Sequence, residues 1–128
     1  MTSIKIILDG EEFLAELYDT PTAHAIQSAL PLDSSIHTWG DEIYFGVDAH
    51  TPLEDQAKSE VGLGDLAYWP TMPAFCIFFG ATPASYADEP RAASAVNVFG
   101  RLDQVDLNKL RALGEGVSVR VEIASHTS

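Results

Sequence analysis

The chain has 128 residues, enough for one domain that buries roughly two-thirds of the surface its unfolded form exposes. It carries 19 acidic and 7 basic residues, and the resulting net charge of −12 repels phosphate backbones and anionic lipid headgroups. The composition therefore excludes nucleic acid and membrane surfaces from the expected partners.

The start of the chain has no charged region followed by a hydrophobic segment, and the longest apolar run is far too short to span a bilayer. We therefore expect a cytoplasmic protein. The single cysteine, Cys76, lies within an apolar run. It has no partner for an intrachain disulfide, and its setting predicts a buried, inert thiol.

A hairpin and a helix are predicted at the start of the chain. Residues 3–8 and 11–18 are strand candidates on either side of an Asp-Gly pair, which supplies the positive φ of a two-residue turn. Thr20 followed by proline predicts an N-cap, and Pro31 ends the helix that follows.

A second hairpin-like pair is predicted from residues 34–39 and 42–47, around a Gly-Asp turn. Strand alternation places Glu42 and Tyr44 on one face of the second strand and its large apolar residues on the other. Residues 48–60 are polar and lack a period, so we predict a loop or a short edge segment there.

The centre of the fold is predicted at residues 66–69 and 74–79, two apolar strands split by Pro-Thr-Met-Pro. Alternation separates Tyr68 from Trp69, so one side chain of this pair faces away from the core. The same holds for Phe78 and Phe79.

A long loop is predicted at residues 80–93, and loops of this length in compact domains are often functional. The next strand, residues 95–102, contains Gly100, which suggests a bulge or a barrel corner. Asp103 is predicted to cap a second helix, and residues 117–123 alternate as a half-buried strand. About eight short strands and two helices favour a mostly antiparallel barrel in one domain, residues 1–128.

Three strings resemble a family of small, functionally uncharacterised bacterial and archaeal cyclophilin-like proteins. They are TWGDEIYF at 38–45, the block from GDLAYWP to AFCIFFGATPAS at 64–85, and ASAVNVFGR at 93–101. Residues 96–113 also resemble the closing part of cyclophilins, in which a V-V-F-G-[KR]-V strand leads into a helix. The resemblance implies a closed eight-stranded β-barrel with a short helix capping each end.

The catalytic pattern of cyclophilins carries over less well than the fold. Cyclophilins bring an arginine towards the prolyl nitrogen near an F-M-x-Q-G-G signature. This chain lacks that string and has no Lys or Arg between Lys5 and Lys58. The positions that match the family's histidine and tryptophan hold Val96 and Arg91. These differences from the cyclophilin pattern argue against ordinary prolyl isomerisation. They leave Arg91, in the long loop, as the arginine that could instead donate a hydrogen bond to the prolyl nitrogen.

Large aromatic and apolar residues are the main candidates for a binding groove that takes a small molecule or a proline-containing peptide. The candidate ligand-binding residues are Trp39, Tyr44, Tyr68, Trp69, Met72, Phe79 and Asn97. Core packing explains most of them equally well. Asn97, between two valines of a strand, also fits a structural hydrogen-bonding role.

Metal and hydrolytic sites have little support in the sequence. The histidines form no i, i+4 pair and have no neighbouring cysteine pair, so no metal site is predicted. They are His24, His37, His50 and His126. Asp9, Asp41 and Glu42 stand where turns place solvated acidic residues. No cofactor is predicted.

The sequence thus predicts a cyclophilin-like barrel that binds a small molecule or an extended peptide in an aromatic surface groove. Two alternatives stay open. One is a divergent peptidyl-prolyl cis/trans isomerase that uses Arg91 or no arginine at all. The other is a non-catalytic assembly subunit whose exposed aromatic residues form an oligomer interface. The oligomeric state is open.

Overall fold

The structure is a computed structural model and describes residues 2–124, which form strands and two short helices. The strands are β1 (Thr2–Leu8), β2 (Glu11–Leu17), β3 (Leu32–Ser35), β4 (His37–Thr38), β5 (Glu42–Gly46), β6 (Lys58–Glu60), β7 (Asp65–Trp69), β8 (Ala74–Phe78), β9 (Arg91–Leu102) and β10 (Ser118–Ile123). The helices are α1 (Pro21–Ser28) and α2 (Leu107–Arg111). Within this range, no helix has the length and apolar character that crossing a membrane requires.

The strands form one large antiparallel sheet. Its hydrogen-bonded order is β3-β10-β1-β2-β9-β7-β8-β5-β4, and β6 pairs with β9 off this path. Each pair with an assigned register is antiparallel, from the β1–β2 hairpin to the pairing of β10 with both β1 and β3. The mostly β, antiparallel architecture predicted from the sequence is confirmed.

The prediction of a closed, eight-stranded barrel is wrong in strand number and in closure. Ten strands are present in the described residues, partly because the expected strand at 34–39 is divided into β3 and β4. No hydrogen-bonded ladder joins these two strands, which stand at opposite ends of the sheet order. Ile36 alone separates them in sequence. It is fully buried; its N–H donates to the carbonyl of Val117 and its carbonyl accepts from the N–H of Gly116, so its backbone stays beside the segment that leads into β10.

Two hydrophobic clusters lie on opposite faces of the sheet, because side chains alternate between faces along each strand. The main core includes Phe45, Phe75 and Phe99, with Phe45 stacked on Phe75 at 4.8 Å between ring centroids and Phe99 edge-on to Phe75 at 5.0 Å. The smaller cluster, called the outer cluster below, consists of Val61, Ala67, Ala74, Cys76, Phe78, Ala92 and Val96. Both faces of β8 are therefore buried, which explains its uninterrupted apolar sequence.

A bulge in β9 lets this long strand contribute to both clusters. Its pairing with β7 slips by one residue between Leu66 and Ala67, where Phe99 is the extra residue. The next residue, Gly100, passes so close to β2 that a Cβ there would lie 2.3 Å from the carbonyl oxygen of Glu16. Of the two features that this glycine suggests, a bulge or a barrel corner, the structure has the bulge.

The two helices are each anchored by a capping side chain. The Thr20 hydroxyl accepts a 3.1 Å hydrogen bond from the N–H of Ala23, as the Thr-Pro pair predicted. For α2 the cap is Asp106, and the prediction of Asp103 was wrong. The N–H of Asp103 still bonds to the carbonyl of Leu14 in β2, so the chain has not yet left the sheet at that residue.

Candidate functional site

A cavity of about 200 Å³ opens on the outer face of the sheet, against the outer cluster. Strands β5, β7, β8 and β9 all contribute to its walls, and the turn between β4 and β5 adds one aromatic residue. The lining residues are Trp39, Glu42, Tyr44, Trp69, Cys76, Ala92, Ala93 and Val96.

Strand register explains why these residues meet. Tyr44 of β5 lies opposite Cys76 of β8, and Cys76 lies opposite Ala67 of β7, so the three residues form a row across the outer face. Glu42 and Trp69 are each two residues from a member of this row and share its face. The pairing of β5, β8 and β7 thus brings together Glu42, Tyr44, Trp69 and Cys76, half of the residues that line the cavity.

Neighbouring polar groups hold two of the aromatic walls in place. The indole N–H of Trp69 donates a 2.7 Å hydrogen bond to the hydroxyl of Ser94. The ring of Tyr44 packs against the ring of His37, with 5.2 Å between centroids. His37 is itself bound through Nδ1 to the carboxylate of Glu115 at 2.6 Å. Both walls are therefore oriented before any ligand arrives.

Glu42 supplies a buried carboxyl group to this otherwise apolar site. Only 6% of the residue is exposed, and burial raises the pKa of its carboxyl to about 7, with the Cys76 thiol opposing the shift. Burial and the nearby charge of Glu42 raise the pKa of the Cys76 thiol well above its ordinary value. The carboxyl therefore titrates near neutral pH while the thiol stays protonated.

Three of the seven predicted ligand-binding residues, Trp39, Tyr44 and Trp69, line the cavity. Tyr68 and Phe79 do not, because the alternation that turns Trp69 outward turns Tyr68 inward and the same rule buries Phe79. Both belong to the main core. The hydroxyl of Tyr68 donates a 2.7 Å hydrogen bond to the carbonyl of Ala49.

Met72 and Asn97 also lie away from the cavity, for different reasons. Met72 is in the turn between β7 and β8 and is 61% exposed. Asn97 is buried and joins three parts of the chain. Its Nδ2 donates to the hydroxyl of Thr22 and to the carbonyl of Pro52, at 3.0 and 2.9 Å. Its Oδ1 accepts from the N–H of Glu54 at 2.8 Å, so the side chain has a structural role.

Arg91, the weak candidate for catalysis, is engaged by acidic and aromatic neighbours and does not line the cavity. Its Nε donates to Glu89 at 2.9 Å, and its Nη2 donates to Glu60 at 3.0 Å. The guanidinium carbon lies 4.4 Å from the centre of the Tyr86 ring. β9 begins at Arg91, earlier than predicted, and Arg91 lies opposite Glu60 of β6, so the residue is part of the sheet and not of a free loop.

Glu89 organises the loop that precedes β9. Its carboxylate accepts hydrogen bonds from the N–H groups of Tyr86 and Ala87, at 2.9 and 2.8 Å, and from Arg91. The bond from the Tyr86 N–H, then those from Arg91 and Ala87, lower the pKa of Glu89 to about 2. The loop beside the cavity therefore has a defined internal structure.

Glu42 is the main site residue that the sequence interpretation missed. The sequence predicts Glu42 at the start of the strand 42–47, but its place after Gly-Asp is also typical of a solvated acid of a turn; the structure makes it the first residue of β5 and buries it. The alternation of β5 already placed it beside Tyr44, and that was the signal. Asp41, next to it, does sit in the turn and pairs with Arg111 at 2.7 Å.

The histidines provide no metal centre in the part of the chain that the structure describes, since no group of three or more potential ligand residues occurs there. His24 and His50 each lie near a single carboxylate, Asp19 and Asp48 respectively. His126 lies outside the described residues.

The mostly β antiparallel sheet and its two helices agree with the family that the sequence resembles. The chain belongs to the cyclophilin-like family, whose model matches residues 2–122. It is similar to a hypothetical protein from Archaeoglobus fulgidus with a known solution structure, at 42% identity and a TM-score of 0.78, over 96% of this chain and 95% of that one. None of the curated proteins matches it.

Proposed function

We propose that this protein binds a small molecule, or a single side chain of an extended peptide, in the cavity on the outer face of the sheet. The observation that carries the proposal is the convergence of Trp39, Tyr44 and Trp69 on one cavity. Aromatic side chains packed in the main core would serve stability alone. These three instead border open space outside it.

The size of the cavity limits the ligand. Pockets for drug-sized ligands usually measure about 300–1,000 Å³. The cavity here is about 200 Å³, which favours a compact molecule or one residue of a peptide. A mostly apolar wall with a few polar groups, here Glu42 and Cys76, is typical of ligand sites.

The proposal is tested by NMR titration with small aromatic and aliphatic fragments and with Xaa-Pro peptides. We expect a binding fragment to shift the indole N–H signal of Trp69 and to lose affinity in Trp69→Ala. Met72→Ala is the matched control, since Met72 is exposed and outside the cavity. Equal loss in both variants, or shifts confined to other regions, would contradict the proposal.

A divergent prolyl isomerase is the first alternative, and it rests on the family resemblance. The bonds of Arg91 to Glu89 and Glu60 leave that guanidinium engaged, which weighs against its use on a substrate. Exchange spectroscopy on Xaa-Pro peptides tests the alternative, because uncatalysed isomerisation takes tens to hundreds of seconds. A non-catalytic assembly subunit is the second alternative, tested by the concentration dependence of size on a column.

A further inference from the structure

The carboxyl group of Glu42 is the least expected component of the cavity. It is more than nine-tenths buried and borders the same space as Trp39, Tyr44 and Trp69. Taking a carboxylate out of water is unfavourable unless a cation or several hydrogen bonds compensate it. The position of Glu42 therefore needs an explanation that packing alone does not give.

No cationic side chain compensates Glu42 within residues 2–124. The ion pairs of the lysines, arginines and histidines there involve other acids, and none places a nitrogen within 4.0 Å of the Glu42 carboxylate. Cys76 is the polar side chain beside it, and a thiol is only a weak hydrogen-bond donor. The carboxylate thus lacks a countercharge of its own.

The groups around Glu42 do not suit a metal ion or a reactive thiol. Metal ions that prefer oxygen take six or more ligands, whereas this cavity offers a single carboxylate. A protonated Cys76 is a poor nucleophile and a poor metal ligand. An organic cation requires less, namely one negative charge and aromatic rings at close range.

We infer that the cavity binds a small organic ammonium ion, with its charge beside Glu42 and its carbon substituents against Trp39, Tyr44 and Trp69. This inference rests on the proposed function and specifies its ligand class. Aromatic rings attract cations through their quadrupole, and the effect is larger where water is excluded. The net charge of −12 also attracts cations towards the protein from a distance.

A pH dependence follows, because the ammonium ion and the proton compete for the carboxylate. The titratable residues that line the cavity are Glu42, Tyr44 and Cys76, and His37 packs behind Tyr44. With the pKa of Glu42 at about 7, a permanently charged ligand should bind about tenfold more weakly at pH 6 than at pH 8. The variant His37→Gln separates any contribution of the histidine from that of Glu42.

The test uses two probes of equal shape, benzyltrimethylammonium and its neutral analogue neopentylbenzene. Each is titrated into the full chain at pH 8 and pH 6, and the indole N–H signals report binding. We expect the cation to bind at pH 8 and to bind about tenfold more weakly at pH 6. Glu42→Gln should remove this pH dependence and weaken binding at pH 8. Glu12→Gln, which removes the same charge from an exposed position, should change neither.

The outcomes separate the two proposals. If the neutral probe binds in the cavity as tightly as the cation, the inference is overturned while the binding function stands. If the cation binds equally tightly at pH 8 and pH 6, Glu42 is not its partner and the inference is again overturned. This comparison uses the wild-type protein, so it remains decisive if Glu42→Gln does not fold. If neither these probes nor the fragments bind, the proposed function fails as well.

Discussion

Gly100 of β9 lies directly against the backbone of Glu16 in β2. A Cβ on residue 100 would stand 2.3 Å from the carbonyl oxygen of Glu16, a backbone atom that cannot rotate away. The contact follows the bulge at Phe99, where β9 changes register and continues alongside β2. The absence of a side chain at residue 100 is thus a condition for joining these two strands.

Gly100→Ala should therefore destabilise the protein by about 2 kcal/mol or more, because relief of the clash requires backbone movement. Chemical denaturation measures this change. Gly46→Ala is the matched control, since Gly46 is also in a strand and has nothing within 4 Å of its added Cβ. We expect the control to lie within about 0.5 kcal/mol of the wild type. Similar losses in both variants would mean that strand glycine itself, and not the contact with Glu16, determines the effect.

Glu42 should make stability depend on pH in an unusual direction for an acid. Its pKa rises from 4.5 to about 7 on folding, so between these values the folded state binds more protons than the unfolded state. The contribution of protonated Glu42 to the free energy of unfolding is therefore complete below pH 4.5 and is lost as the pH rises through 7. Relative to wild type, Glu42→Gln should gain about 2–4 kcal/mol in free energy of unfolding between pH 4.5 and pH 8. A difference that stays constant across this range would contradict the assignment, and Glu12→Gln controls for net charge.

Asn97 should contribute to stability and not to ligand binding. Asn97→Ala removes three hydrogen bonds and leaves the Thr22 hydroxyl and the Glu54 N–H without this partner. We expect a loss of about 2–4 kcal/mol in the free energy of unfolding. Asn108→Ala, at an exposed helical position, is the control and should be near neutral. A stable Asn97 variant with impaired ligand binding would restore the sequence-based assignment of Asn97 to the site.

Arg91 should stabilise its loop without serving catalysis. In Arg91→Ala the carboxylate of Glu89 loses one partner, so hydrogen exchange at the amides of Tyr86 and Ala87 should accelerate. Arg101→Ala, an exposed arginine further along β9, is the control and should leave these amides unchanged. Any prolyl exchange catalysed by the wild type should persist in Arg91→Ala. If the catalysed exchange disappears in Arg91→Ala while the loop amides are unaffected, Arg91 is the hydrogen-bond donor to the prolyl nitrogen.

Most of the fold could be predicted from the sequence, because apolar and polar residues alternate clearly along the strands and the turns contain characteristic residues. Asp9 and Gly10 both have positive φ in the first hairpin, as that turn requires. Closure of the barrel was not predictable in the same way. It depends on the backbone pairing at Ile36, the break between β3 and β4, and the sequence contains no local signal for that pairing.

The candidate site was only partly predictable, because alternation separates neighbouring residues without saying which one faces the core. Tyr68 and Trp69 are equally aromatic, and only the register of β7 between β8 and β9 decides that Tyr68 is inside. An acid directly after Gly-Asp is typical of a solvated turn, so the sequence does not single out Glu42 as a buried site residue. The face it shares with Tyr44 was the better guide.

The pairing of β3 with β10 has a consequence for the order of events during synthesis. In the described residues β3 has β10 as its only ladder partner, through Leu32 opposite Val121 and Ser35 opposite Ser118. On the ribosome, β3 therefore emerges long before the strand that completes it. Topologies dominated by such distant pairings fold slowly, in roughly milliseconds to seconds. We expect the sheet to be completed only when β10 has left the exit tunnel, so the nascent chain would depend on its acidic residues to stay in solution until then.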